Sequence, residues 1–400
     1  MRKHGEFIKL WLAALISQSG SHFLTLALSA MVFAKTGSAV KGSLVFVLSY
    51  LPSVFVSSAL GAWIDRAISK KLLIGNEALA IFVSILCGAC VYFELPMGAL
   101  CALVAVRSLL LFTSRTAMTK WVKVISPDSL AASRIKLFFL SFFLSTVAAG
   151  LLASLFLGKV SIWSIVAVDA VTYSVGIAVI SLLRKLEVAP AIVESRGSSI
   201  AATIAEIVSN PILKSSFIAV CFSQAIFQGA YSILVSYLPL RHYSMGLSGT
   251  GVFQVAASVG IIGGFLVNWR LPRVLKGSPL RLIVCTVAGI VGLFLTTQTD
   301  LRLGVASFFV LNLAYETIWL FHSSEFFANS PAQHAARYQF TLASVASFLM
   351  ALTTLGYAAT IDQLGAQGGV LVTLSTVLLL WLAVSHISTQ RKQVTVGVQV

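Results

Sequence analysis

Arg107, Asp169 and Glu316 each stand well inside an apolar stretch of this 400-residue chain. If lipid surrounds such a stretch, an ionisable side chain costs about 2.5 to 3.5 kcal/mol on insertion scales, which makes each a functional candidate by default. Asp169 has no counter-charge next to it in sequence. Desolvation disfavours its ionised form, which suits a proton carrier; an interhelical hydrogen bond is the competing role. Arg107 can serve substrate or proton coupling, or form a structural pair with a carboxylate or carbonyls. Asn312, Glu316 and Trp319 recur at spacings of four and three, which returns them to one helical face. With Tyr315 and His322 beside it, that face suits a cavity wall for an amphiphilic or cationic compound, or else a packed aromatic belt. Gln18 and His22 (i, i+4) and Gln224, Gln228 and Tyr231 (i, i+4, i+7) form further polar stripes that must turn inward, away from lipid.

The elements that carry these residues follow from composition. Hydrophobic residues make up 58% of the chain and charged residues only 10%, far from the balance of a soluble domain. Charges arrive in bursts between apolar runs long enough to cross a bilayer core of about 30 Å as helices. The ten-residue alternation of a membrane barrel is absent. Twelve spans are expected, at 7–34, 42–64, 72–93, 97–115, 135–157, 161–183, 212–237, 248–269, 281–298, 302–322, 337–360 and 367–388. The fold class is therefore an all-α polytopic membrane protein. With the N-terminus in the cytoplasm, 22 of the 28 basic residues, Arg115 among them, fall on that side and five on the other. The positive-inside rule then fixes both termini as cytoplasmic and explains the +15 charge without nucleic acid. The first span, after Met1-Arg2-Lys3-His4, is too long for a signal-peptide core and is read as a retained helix. All five cysteines fall inside spans, which argues for packing over a disulfide framework, and for Cys87 and Cys90 over redox or metal chemistry.

The polar stretch 184–211 divides the spans six and six, so residues 1–183 and 212–400 are expected to form two pseudo-symmetric six-helix bundles joined by a cytoplasmic linker. Within the linker, Ser198 to Ser209 can form a surface helix with Ile200, Ile204 and Ile207 on one face, or stay a flexible connection. Enzyme chemistry finds little support: no P-loop occurs, the six histidines lack metal-ligand spacing, and the glycines at 260, 263 and 264 lie within a span.

Between the second and third spans stands Gly61-Ala62-Trp63-Ile64-Asp65-Arg66, followed by Lys70-Lys71. This turn resembles the cytoplasmic signature of the major facilitator superfamily, G-x-L-A-D-R-x-G-R-R/K, with Trp63 and Ile68 departing from it. Gly264 and Asn268, each 203 residues on, echo Gly61 and Asp65, although the second copy lacks the carboxylate. Further pieces resemble the macrolide-efflux and siderophore-exporter branch: Gln18 with Gly20, Leu51-Pro52, the turn from Ser114-Arg115 to Ser129-Leu130, Asp169-Ala170, and Gly356 with Asp362 and Gly365. Arg107 sits where efflux members carry an arginine. The antiporter glycine-proline pairs of the fifth span are missing, with only Gly150 left, and His22 stands where relatives often place an acid.

The resemblance implies a secondary active exporter of the bacterial inner membrane, working by alternating access. Its cargo would be a small amphiphilic compound such as a macrolide, siderophore or peptide antibiotic, and protons would be the coupling ion. It implies no cofactor and a monomer. A uniporter or importer of the same fold is the near alternative, and a non-transporting receptor the distant one. It also implies that Gly61, Asp65 and Arg66 meet Arg337 at an inner gate. Asp65→Asn is then expected to cut transport, followed by uptake assay, while leaving the protein in the membrane; unchanged transport would remove Asp65 from the gate.

Overall fold

A computed structural model describes residues 2–67, 69–126, 128–183, 200–270, 279–330 and 335–397. The first half contributes six helices: α1 (Arg2–Thr36), α2 (Ala39–Ala67), α3 (Lys70–Tyr92), α4 (Met97–Ile125), α5 (Asp128–Phe156) and α6 (Ile162–Ser181). A short α7 (Ile200–Ser209) precedes α8 (Pro211–His242), α9 (Gly249–Arg270), α10 (Pro279–Leu295) and α11 (Leu301–Asn329). The last helical stretch, Ala335–Gly397, breaks at Gly365, whose φ of 73° and ψ of −178° only glycine adopts without strain. It therefore supplies two spans, α12 (335–364) and α13 (366–397). Leaving α7 aside, these are the twelve expected spans.

Eight stretches among the described residues are long and apolar enough to cross a bilayer on their own. The first helix is not among them, because its middle carries Ser17, Gln18, Ser19 and Ser21, all buried inside the protein. In lipid such a helix is stable only when other helices surround it, and α1 packs against α2, α4, α5 and α6. In the second half α11 has the same central position, against α8, α9 and α10. Small residues allow the closest approaches, as expected where packing rather than water drives helix association. A methyl group on Gly20 would lie 3.0 Å from the Asp169 Cα of α6, and one on Gly264 would lie 2.8 Å from the Leu313 carbonyl oxygen of α11. Asn268 then donates its amide to the Thr317 carbonyl of α11 at 3.1 Å, a task for which an amide donor suits better than the aspartate it replaces in the repeat. The glycines of α9 thus serve helix packing.

Several boundaries differ from expectation, the most telling of them around Arg115. The fourth span runs ten residues past Arg115 to Ile125, and α5 starts at Asp128, so the stretch read as a long turn is nearly all helix. Arg115 consequently lies inside the protein instead of in a basic turn. Glu77 is buried seven residues into α3 and accepts the Ser114 hydroxyl at 2.6 Å. The linker helix does form as α7, with Thr203 and Ile207 buried in a cluster beside Leu213, Phe326 and Tyr338, while Ile200 is exposed. The backbones of Gly61, Asp65, Arg66 and Arg337 run within α2 and α12, but their side chains lie outside the described residues.

The two bundles meet through α5 against α9 and through α2 against the last helical stretch. Between α5 and α9 these contacts run from Phe143 and Phe265 to Ser154 and Gly251. A methyl on Gly251 would sit 2.1 Å from the Ser154 amide nitrogen, so α5 and α9 touch backbone to backbone. Phe33 of α1 packs on Tyr237 of α8 with ring centroids 5.6 Å apart. Asp362 of α12 reaches across to the start of α2, where its carboxylate accepts from the amides of Ala39 at 2.7 Å and Val40 at 3.3 Å and from the Ser38 hydroxyl at 2.9 Å. The first turn of a helix has amides without internal partners; here one bundle supplies the cap for a helix of the other. Removing a cap costs about 0.5 to 2 kcal/mol. Asp362→Ala is therefore expected to speed the thiol labelling of a cysteine placed at Ser236, buried beneath this latch, by about twofold or more; unchanged labelling would show that the cap does not hold the bundles together.

Candidate functional site

Arg107 and Asp169, assigned separately from the sequence, form one ion pair. Nη2 of Arg107 stands 3.2 Å from Oδ2 of Asp169, with side chains 3% and 0% exposed. Asp169, with no counter-charge beside it in sequence, has one in space: the partner lies 62 residues away, on a helix two spans earlier, which is the pairing role that Arg107 also allowed. The guanidinium is a fork of five donors and no acceptor, and α1, α3 and α6 supply its acceptors. Nε donates to Ser84 Oγ at 3.1 Å, Nη1 to Thr25 Oγ1 at 2.9 Å, and Nη2 also to the Ser21 carbonyl at 3.2 Å. Ser21 in turn donates to Tyr173 Oη at 2.7 Å. One carboxylate oxygen, Oδ1 of Asp169, is buried without a hydrogen-bond partner. The result is a polar knot at the heart of the first bundle, tying four helices together and keeping one acceptor in reserve.

Two turns further along α4, Arg115 meets the polar stripe of α1. Its Nε donates to Gln18 Oε1 at 3.0 Å, and its Nη2 lies 2.9 Å from His22 Nε2. Because the guanidinium can only donate, Nε2 is the unprotonated nitrogen of that ring. The guanidinium carbon also sits 4.9 Å from the centroid of the Phe142 ring, a cation–π contact. Gln18 and His22 therefore do turn inward, onto a residue that the span boundary had removed from consideration. The signal that could have found it is the spacing itself: Arg115 follows Arg107 by eight residues, so both fall on the same broad helical face.

In the second bundle the stripe of α8 does not keep helical register. Gln224–Gln228 and Leu238–His242 are π-helical turns; in the first, the Gly229 amide reaches back five residues to Gln224, and in the second Pro239 lacks the amide that regular α-helical bonding would use. Such one-turn widenings are frequent at functional sites. Tyr315 of α11 donates to Gln224 Oε1, and Tyr231 donates to Gln254 of α9 at 2.7 Å. Gln254 continues through Ser258 to Thr146 of α5, at 3.0 and 2.9 Å, so this chain of hydrogen bonds crosses from one bundle to the other. Gln228 stands half-buried in the same π turn.

Asn312 and Glu316 are buried where α11 presses on the glycines of α9, and Asn312 donates back to the Phe308 carbonyl of its own helix at 2.8 Å. This part of the face is a helix contact and not an open wall. Trp319 is half-buried and packs between two apolar clusters. Glu316 keeps Oε1 without a hydrogen-bond partner, as Glu77 keeps Oε2. Three buried carboxyl groups, Asp169, Glu77 and Glu316, thus each retain an unfilled oxygen.

Leaving one member of a buried ion pair uncompensated costs about 3 to 5 kcal/mol, whereas replacing both by apolar groups is often nearly neutral. Asp169→Asn is therefore expected to lower the melting temperature of the detergent-purified protein more than Arg107→Met combined with Asp169→Leu. If Asp169→Asn melts like the wild type, the pair does not hold the bundle.

No family model matches the chain. The macrolide efflux protein A of Streptococcus pyogenes is 30% identical over 105 residues, and the match spans 26% of each chain, about a quarter of the relative's length. Solved structures agree over far more of the molecule. A POT family transporter in complex with a thioalcohol-conjugated peptide covers 96% of this chain and is itself covered to 96%, with a TM-score of 0.73 at 12% identity. The nucleoside transporter NupG gives 0.71 at 13% identity, over 94% of this chain and 98% of its own. A bacterial homolog of the human lysosomal transporter Spinster, inward-facing and unoccupied, gives 0.67 at 14% identity over 90% and 82%. The chain is a multi-pass membrane protein whose two six-helix bundles have the fold of the major facilitator superfamily transporters.

Proposed function

We propose that the protein is a secondary active exporter that moves a small amphiphilic compound out of the cell, probing each side of the membrane in turn. Residues 1–183 and 212–400 are the two moving bodies, and 184–211 connects them. Both termini face the cytoplasm across the bacterial inner membrane, in line with the distribution of basic residues. The observations that support the reading are polar groups drawn from both bundles and a contact that closes the bundles against each other. Arg115, Gln18 and His22 on one side and Gln224, Tyr231 and Tyr315 on the other supply the polar groups, while Asp362 and the α5–α9 contact supply the closure.

A conformational cycle needs interactions that can be exchanged instead of merely lost. The buried carboxyl groups of Asp169, Glu77 and Glu316 suit proton uptake, since a buried carboxylate is costly and taking up a proton removes the charge. Asp169 or Glu316 is the proposed carrier, with Arg107 modulating it: protonation of Asp169 weakens its hold on Arg107 and frees the hydroxyl partners on α1 and α3. The partial likeness to a macrolide efflux protein supports the outward direction.

The test uses everted membrane vesicles that acidify on respiration, challenged with a panel of macrolides, siderophores and peptide antibiotics. At least one compound is expected to dissipate part of the pH gradient only in vesicles containing the protein, and Asp169→Asn is expected to abolish the response. Compound movement that ignores ionophores would instead assign a uniporter, and ligand binding without movement across liposomes a receptor.

A further inference from the structure

Arg115 and Arg107 are both held inside the protein, yet among the described residues only Arg107 has a counter-ion. Asp169 neutralises Arg107 at 3.2 Å. The partners of Arg115 are an amide, an imidazole and a phenyl ring, all uncharged: Gln18 at 3.0 Å, His22 at 2.9 Å and Phe142 at 4.9 Å. The remaining groups facing it are also neutral. Tyr50 of α2 and Tyr173 of α6 are the other ionisable side chains in electrostatic reach, and both are phenols. The nearby acids are turned elsewhere, Asp169 to Arg107 and Glu77 to Ser114. An interior cation without a counter-charge is costly, and the cost is offset when a ligand brings the missing charge.

The surroundings favour a ligand over a closed structural role. Arg107 is sealed at 3% exposure, whereas Arg115, His22, Tyr50 and Phe142 all remain partly exposed within the protein. Tyr50 stands between the bundles, within electrostatic reach of Arg115 on one side and of Tyr231 and Tyr315 on the other. The guanidinium therefore lies near Tyr50, which the aromatic hydroxyls of the second bundle also approach. A planar fork of donors beside a phenyl face matches a carboxylate or sulfonate carried on an apolar body. A basic compound would instead meet Arg115 and, one turn of α1 away, the histidine that both arginines flank.

Resting on the exporter reading above, we propose that Arg115, with Gln18 and His22, is the recognition site for the anionic group of an amphiphilic substrate bearing a carboxylate or sulfonate. Binding replaces the neutral partners of the guanidinium with a charged one, and the apolar body of the substrate lies along Phe142 and Tyr50.

The experiment compares N-dansyl-leucine with its methyl ester, two fluorescent amphiphiles that differ in the anionic group, on the full chain purified in detergent. The acid is expected to bind at least about tenfold more tightly than the ester, the difference that one charge-assisted hydrogen bond provides. Arg115→Gln is expected to erase that preference, and Arg115→Lys to keep part of it. If Arg115→Gln fails to fold, the wild-type preference and its reduction in Arg115→Lys decide the matter. Equal binding of acid and ester by the wild type, no saturable binding of the acid, or a preference that both variants retain would overturn the anion site. None of these results would remove the exporter reading, because the vesicle assay registers transport of an uncharged compound equally well.

Discussion

A guanidinium enclosed by helices in lipid must find every acceptor within the chain, and the architecture of the first bundle follows from meeting that demand for Arg107. Water is excluded, so the serine and threonine hydroxyls of α1 and α3 and the carboxylate of α6 take its place. Those groups reach the arginine only because Gly20 lets α1 approach α6 at backbone distance. The polar character of α1, which makes it a poor membrane segment by itself, is the same property that makes it the centre of the bundle.

The second bundle reaches its packing by another route. Glycines 260 and 264 of α9 bring that helix against α11, and the enclosed polar groups are amides and a carboxyl group without a cation. The halves repeat each other in fold without repeating each other's electrostatics. Charge is concentrated in the first bundle, aromatic hydroxyls and amides in the second, and the seam between them joins the two chemistries through Thr146, Ser258, Gln254 and Tyr231.

Much of this arrangement was legible in the residues. The spacing of charges along the chain locates twelve spans, since apolar runs of bilayer length have few other uses, and the echo of Gly61 and Asp65 at Gly264 and Asn268 reveals the twofold repeat. The inward turn of Gln18 and His22 follows from the cost of exposing them to lipid. What could not be read arises wherever a charge marks something other than a boundary. Arg115 looks like the end of a span because arginine normally sits at the membrane surface; its true position depends on Gln18, His22 and Phe142, two of them on α1 and one on α5. The pairing of Arg107 with Asp169 is a tertiary fact without a local trace, and the π turn at Gln224–Gln228 has no proline or other compositional cue, unlike the one at Leu238–His242.

The Asp362 cap carries a consequence for how the sealed face can separate. The leading amides of α2 have their acceptor on the opposite bundle, so parting the bundles strips that helix of its terminus unless solvent steps in at once. Asp362 is itself exposed, as are its bonds to Ser38 and Val40, so water beside the latch takes over those partners as the helices move. A dry intermediate, with the halves drawn apart around an empty gap, would be the least stable arrangement on the path, and the aqueous phase becomes a reactant in the opening step.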